Sequence, residues 1–156
     1  LNPKTTIETL IPDFKGETDN IDRIIEVAPE VVSHNLETVK RLTREVRVQA
    51  KYDRSLEVLK YLKVNGINRT KSGLMLGLGE EKEEVLETLN DLRDVGVDIV
   101  TLGQYLQPSK KHLQVKSFIS PEEFKEFEII AKDMGFRHVE SGPLVRSSYK
   151  AHKHIL

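Results

Sequence analysis

In the run Ser33-His34-Asn35-Leu36-Glu37-Thr38, five polar side chains crowd around a single leucine. Two chemistries suit that spacing. Asn35 offers an amide that pairs with an amino-acid head group, and Glu37 a carboxylate that accepts from both hydroxyls of a ribose. Equally, Asn35 suits a helix N-cap and Glu37 the positive end of the helix that would follow. The residues alone leave both readings open. A second run, Gly73-Leu74-Met75-Leu76-Gly77-Leu78-Gly79-Glu80, carries three glycines through an apolar strand end. Glycines there let a flat aromatic ligand or a phosphate approach bare backbone, or else allow tight strand-to-helix packing. The spacing is neither the dinucleotide fingerprint nor a P-loop, and no lysine follows.

Three further junctions carry polar residues. Ile11-Pro12-Asp13-Phe14-Lys15-Gly16 reads as a turn, with Asp13 a carboxylate at a strand end. Thr101 to Pro108 holds Gln104, Tyr105 and Gln107, and Ser141 to Tyr149 ends in Arg146-Ser147-Ser148-Tyr149. Neither contains an obvious general base. Of the five histidines, only His152 and His154 are spaced as a metal pair, and they sit in a tail expected to fray, with no carboxylate or cysteine beside them. Arg41, Arg44, Arg47, Lys51 and Arg54 recur at near-helical spacing, either as a solvated face or as a surface for an acidic protein. Asn68-Arg69-Thr70 matches a glycosylation acceptor by chance, since no secretory signal accompanies it.

The elements that must position these residues follow from periodicity. Short β-branched runs alternate with longer segments of helical period, the pattern of βα units on a parallel sheet. Strands are predicted at Thr6 to Ile11, Val31 to His34, Ser72 to Leu76, Ile99 to Gln104 and His138 to Ser141. Helical faces are predicted from Val85, Leu89 and Leu92, and from Phe124, Phe127, Ile130 and Met134. Ser120, Pro121 and Glu123 predict a capped helix start, and Gly66, Gly96 and Gly135 mark helix ends. The segment Thr43 to Asp53 fits helix or loop. Five βα units suit either an arc of a barrel or an open doubly wound sheet, and periodicity does not choose between them.

The chain's 156 residues, 38% hydrophobic and 31% charged, suit one domain with a real core. A net charge of -1 gives no global field for nucleic acid or an anionic membrane. There is no cysteine, so no disulfide or thiolate metal site lies within the chain. No stretch reaches membrane-span length, and Leu1-Asn2-Pro3-Lys4 has no signal pattern, which predicts a cytoplasmic or organelle-matrix setting. The start at Leu1, directly into a strand, reads as a piece of something longer.

Five segments in register resemble lipoyl synthase: Glu8 to Phe14, His34 to Val39, Lys71 to Glu80, Gly103 to Pro108 and Gly142 to Tyr149. The resemblance covers the whole chain and implies a partial TIM-type (βα) barrel of the radical SAM (S-adenosylmethionine) type, with this chain supplying the later parallel strands. It implies that Asn35 and Glu37 contact the amino-acid and ribose parts of SAM and that Arg54 pairs with its carboxylate. Gly73, Met75, Gly77 and Glu80 match the family's Gly-x-Ile-x-Gly-x-x-Glu pattern, Met75 replacing the isoleucine at similar volume, so that strand is expected along the adenine.

The resemblance further implies a radical enzyme with two 4Fe-4S clusters, which inserts two sulfurs at C6 and C8 of an octanoyl group. The octanoyl chain rides on a lipoyl domain or glycine-cleavage carrier protein, with Arg41 to Lys51 a candidate docking stripe. By the same resemblance Ser148, with Ser147 the second choice, is the catalytic serine ligand of the auxiliary cluster. All six family cysteines belong upstream, so this chain alone is expected to hold no cluster and to be inactive. The alternative is a non-catalytic SAM- or carrier-binding module of the same fold, for which the Arg-Ser-Ser-Tyr segment has no use. A phosphate-handling barrel enzyme would need an acid–base pair that the junctions do not offer.

Overall fold

The computed structural model describes residues 2 and 4–155; Leu1 and Pro3, within the start read above, and Leu156 lie outside the described residues. Five parallel strands lie side by side in chain order: β1 (Glu8–Leu10), β2 (Val31–Ser33), β3 (Arg69–Leu76), β4 (Ile99–Gln104) and β5 (His138–Gly142). Helices α1 (Thr18–Val27), α2 (Thr43–Val46), α3 (Tyr52–Val64), α4 (Lys82–Asp94) and α5 (Pro121–Asp133) fill the crossovers. Because neighbours in the sheet are neighbours in sequence, the strand order never reverses. The sheet is therefore an arc of a βα barrel and not a doubly wound sheet.

The strand bounds differ from expectation for a reason of pairing. β1 keeps three residues because among the described residues its ladder has only β2 on one side. β3 reaches back to Arg69 because its two halves serve different neighbours: Arg69 to Lys71 pair with β2, and Lys71 to Leu76 with β4. The ambiguous stretch resolves into the single turn of α2 and a loop before α3, whose first residue Tyr52 is buried and donates its hydroxyl to Asp91 at 2.7 Å.

The helices cover one face of the sheet. Leu74, Leu76, Val100, Leu102 and Val139 pack against Leu59, Val85, Leu89, Leu92, Phe124 and Phe127, while Ile130 and Met134 sit half-buried at the margin. A smaller cluster of Ile11, Ile21, Val32, Val58, Leu62 and Ile67 seats α1 and α3. Residues of the other parity on the same strands, among them Glu8, Lys71, Gly73, Thr101, Gly103, Glu140 and Gly142, face the concave side. A parallel sheet buried on both faces normally runs apolar throughout. Here the concave side mixes polar and bare positions with a few apolar ones such as Val31, Ile99 and Met75, and it is the side a ligand would use.

The start of α5 is the predicted capping box: Ser120 Oγ accepts from the Glu123 N–H at 3.1 Å, and Glu123 accepts from the Ser120 N–H at 2.9 Å. Substituting Ser120→Ala is expected to cost about 1 kcal/mol, read as a shift in urea midpoint at unchanged slope. An unchanged midpoint would mean that tertiary packing alone fixes this helix start.

Candidate functional site

After β2 the chain does not turn into a helix. Glu37 takes a left-handed conformation (φ 67°), its N–H donates to the Gly73 carbonyl at 2.9 Å, and its carbonyl accepts from the Met75 N–H at 2.8 Å. This one-residue bridge onto β3 holds Asn35 and Glu37 over the concave face, and neither residue caps a helix. Below them His34 is buried, with Nδ1 2.9 Å from the Ile11 carbonyl and Nε2 2.8 Å from Ser55 Oγ. A carbonyl only accepts, so Nδ1 carries the proton and Nε2 accepts from the serine. Burial lowers the His34 pKa, keeping the ring neutral and structural.

Asn35 donates from Nδ2 to Glu37 Oε1 at 3.1 Å, while its own Oδ1 is buried with no hydrogen-bond partner. Burial raises the Glu37 pKa despite the Asn35 hydrogen bond and the nearby Arg47 charge. Both side chains line a concave cavity of about 300 Å³ with Gly73, Met75, Thr101, Gly103, Arg146 and Ser147. A Cβ on Gly73 would stand 2.7 Å from Thr101 Oγ1 and 3.1 Å from Asn35 Oδ1, so this wall must be bare backbone. A Cβ on Gly103 would collide with the Val145 carbonyl, which crosses over β4 at that point.

Gly77 and Glu80 have a different place. Glu80 accepts from the N–H groups of Gly77 (2.5 Å) and Leu78 (2.9 Å), closing a turn in which Gly77 has φ 103°. They shape the end of β3 without lining the cavity. Gln104 pins the long loop that follows β4, donating to the Ser117 carbonyl at 3.0 Å and accepting from the Ile119 N–H at 2.9 Å. Arg54 lies outside the Asn35–Glu37 cavity, ion-paired to Asp13 at 2.5 Å in a separate cleft of about 550 Å³ shared with Lys15 and Arg47. Burial would raise the Asp13 pKa, but the Lys15 N–H and the Arg54 guanidinium outweigh it and hold it low. Asp13 thus both makes the predicted turn, accepting from the Lys15 N–H at 3.0 Å, and anchors Arg54.

Most of the predicted basic stripe is committed internally. Arg41 bonds Glu84 through two N–H groups, each at 2.7 Å, and pulls that carboxyl down to about 2. Arg47 turns inward to the Leu36 carbonyl and Ser55, and Arg54 to Asp13, leaving Arg44 and Lys51 exposed. Ser147 lines the cavity, whereas Ser148 is exposed beside it. The tail is docked, contrary to the expectation that it frays: His154 is fully buried. His152 is exposed, so the two do not converge, and among the described residues no three His, Cys, Asp or Glu side chains are placed to hold a metal.

Sequence reasoning missed the floor of the concave face. There Lys71, fully buried, bonds Glu8 at 2.5 Å and the Ser147 carbonyl, and Glu8 bonds His154 at 2.9 Å. The signal that could have found it is a lysine followed directly by the small and apolar strand residues Ser72 to Leu76.

The Radical SAM superfamily family model matches residues 1–103. The chain is 75% identical over 155 residues, covering 99% of itself and 53% of the relative, to the mitochondrial lipoyl synthase of Nematostella vectensis, and to the same extents to the lipoyl synthase of Christiangramia forsetii. To the lipoyl synthase of Treponema denticola it is 54% identical over 154 residues, again 53% of that protein. The chain spans about half the length of these relatives. Among the described residues no helix is long and apolar enough to cross a membrane.

Proposed function

The chain belongs to the radical SAM superfamily, and from that premise we propose that it is the nucleoside-binding half of a lipoyl synthase, a sulfurtransferase acting at C6 and C8 of a protein-bound octanoyl group. The observation that carries this reading is the concave cavity. A buried Asn35 Oδ1 without a partner, a half-buried Glu37 carboxylate and the bare backbone of Gly73 converge on it. A buried polar atom with no partner is costly, and at this cavity a ligand donor would offset that cost. SAM fits these residues: Glu37 accepts from the two ribose hydroxyls, Asn35 Oδ1 accepts from the ammonium of the amino-acid part, and Gly73 and Met75 offer the adenine a flat wall. Arg54, in the neighbouring cleft, is assigned to the carboxylate, and Gly77 and Glu80 keep the strand end in shape.

When bound, SAM supplies the hydrogen-abstracting radical chemistry that sulfur insertion needs. This chain's own residues bind and orient it and close one side of the cavity against water, through Val145, Arg146 and Ser147. For the iron–sulfur clusters the fit is different. With no cysteine the chain offers no thiolate, and the exposed Ser148 hydroxyl is its single assigned ligand, harder and weaker than a thiolate. In this reading the thiolates come from cysteines outside this sequence. The carrier is an octanoylated lipoyl domain or glycine-cleavage carrier protein, and the setting is bacterial cytoplasm or an organelle matrix.

The test uses the complete reading frame, reconstituted with iron and sulfide and given an octanoylated carrier and SAM. Mass spectrometry should find the two-sulfur product and 5′-deoxyadenosine, whereas the 156-residue chain alone should take up no cluster and yield neither. A complete, cluster-loaded protein that leaves the carrier octanoylated would overturn the assignment.

A further inference from the structure

Lys71 carries the inference. It is the largest fully buried side chain, its side chain wholly inaccessible, and it stands on the central strand β3 facing the concave side beneath the cavity. Nothing assigned above to nucleoside binding uses it. An ammonium buried in this way requires acceptors for its N–H donors. Two acceptors from separated parts of the chain face it, Glu8 Oε1 on β1 at 2.5 Å and the Ser147 main-chain carbonyl, and His154 Nδ1 lies 3.2 Å away. Glu8 Oε2 lies 2.9 Å from the same His154 nitrogen. Because a carboxylate only accepts, Nδ1 carries a proton and donates it to Glu8, so His154 holds Glu8 and not the ammonium itself.

The geometry is that of a latch. β1, β3 and the tail are far apart in sequence and converge around one cation, and among the described residues the one main-chain acceptor in the cluster belongs to Ser147. That residue lines the cavity directly and precedes Ser148. The carbonyl of Val145, two residues earlier, crosses Gly103, so the segment is held from below by Lys71 and against β4 by bare backbone. Glu8 and His154 do not reach the segment; Glu8 fixes the lysine, and His154 braces Glu8 and anchors the tail that returns under it.

We propose that Lys71 is a positioning residue that sets the Arg146-Ser147-Ser148 segment over the cavity through the Ser147 carbonyl, with Glu8, braced by His154, holding the ammonium in place. The proposal rests on the reading of the concave cavity as the reaction site, and its test separates the two. A lysine that merely filled the core could be replaced by an apolar residue of similar length without consequence for the segment; a latch could not.

The experiment compares the complete protein with Lys71→Met and with the double variant Lys71→Met/Glu8→Gln, which removes both charges together and avoids stranding a buried carboxylate. Hydrogen exchange by mass spectrometry is read over residues 143–155 and, as a folding control, over β4. The latch predicts that exchange in 143–155 rises about tenfold or more while β4 stays protected, in the double variant as well as the single. It also predicts that product formation falls in kcat with the KM for SAM unchanged, since Asn35 and Glu37 are untouched. Unchanged exchange in 143–155 with β4 protected overturns the latch. Raised exchange with wild-type kcat overturns the positioning role and leaves the function standing. If the unsubstituted protein forms no lipoyl product, the function fails, and the exchange comparison still decides the latch.

Discussion

Glu37→Gln is expected to stabilise the protein and to weaken SAM binding at the same time. The Glu37 carboxyl is held above the usual carboxylate range because burial outweighs the Asn35 amide and the Arg47 charge. For a carboxyl whose pKa is raised on folding, stability is greatest below the ordinary pKa and is lost as pH rises through the raised value, because the folded state then holds a proton that the unfolded chain has released. At neutral pH the charged, half-buried Glu37 is therefore a cost, and glutamine removes it while keeping an oxygen for Asn35. The melting temperature at neutral pH should rise by about 2–4 °C, the shift that ~1 kcal/mol gives in a domain of this size, and the gain should vanish in acid.

Binding moves the other way. A carboxylate accepts from two ribose hydroxyls, whereas an amide oxygen accepts and its nitrogen donates, so one charge-assisted hydrogen bond worth roughly 1.5–3 kcal/mol is lost, about a 10–100-fold loss of affinity. Wild-type SAM affinity should also fall as pH drops through the raised Glu37 pKa, and the variant's should not. Calorimetric titration of the complete protein at two pH values reads both. Tighter or unchanged SAM binding by Glu37→Gln would remove Glu37 from the ribose site even if the melting temperature rises.

What the sequence disclosed and what it hid divide along one physical line. Local signals were legible: the βα alternation, the Ser120–Glu123 box, and the Asn35–Glu37 and Gly73–Met75 pair of junctions, which the fold brings to one cavity. They depend on neighbours within a few residues, which periodicity records. Charge pairing across the fold was not legible. Arg41 and Glu84 are 43 positions apart, and Arg54 and Asp13 41, so a stripe that looks free in sequence is mostly spent in space. Lys71 was hidden for the same reason. Its partner Glu8 and the His154 that braces Glu8 lie 63 and 83 positions away, and a lysine opening a motif reads as solvated until those two arrive. The tail histidine was misread because burial of His154 is decided wholly by the strands it closes against.

Gly103 and Gly142 face each other in register on β4 and β5, yet they are expected to respond to alanine in opposite ways. A methyl on Gly103 would run into the Val145 carbonyl, with the carbonyl carbon at 3.2 Å behind it. Main chain cannot rotate out of the way as a side chain does, and Val145 is tied by its N–H to the Gly142 carbonyl at 3.1 Å and by its buried side chain. Either β4 or the crossing segment must shift, costing about 1–3 kcal/mol as overpacking does. At Gly142 the nearest atom to a new Cβ is Val145 Cγ2 at 3.6 Å, an ordinary contact, and the backbone there is not left-handed. Gly142→Ala should therefore stay within about 0.5 kcal/mol of wild type. Urea unfolding at matched slopes distinguishes them, and hydrogen exchange shows where the strain goes. If Gly103→Ala loosens residues 143–147 while the ladder of β4 stays protected, the crossing segment is the part that yields, and product formation should fall with it. Equal, small effects at both glycines would mean that the segment rests loosely on β4 and that its place over the cavity is set by the Lys71 cluster alone.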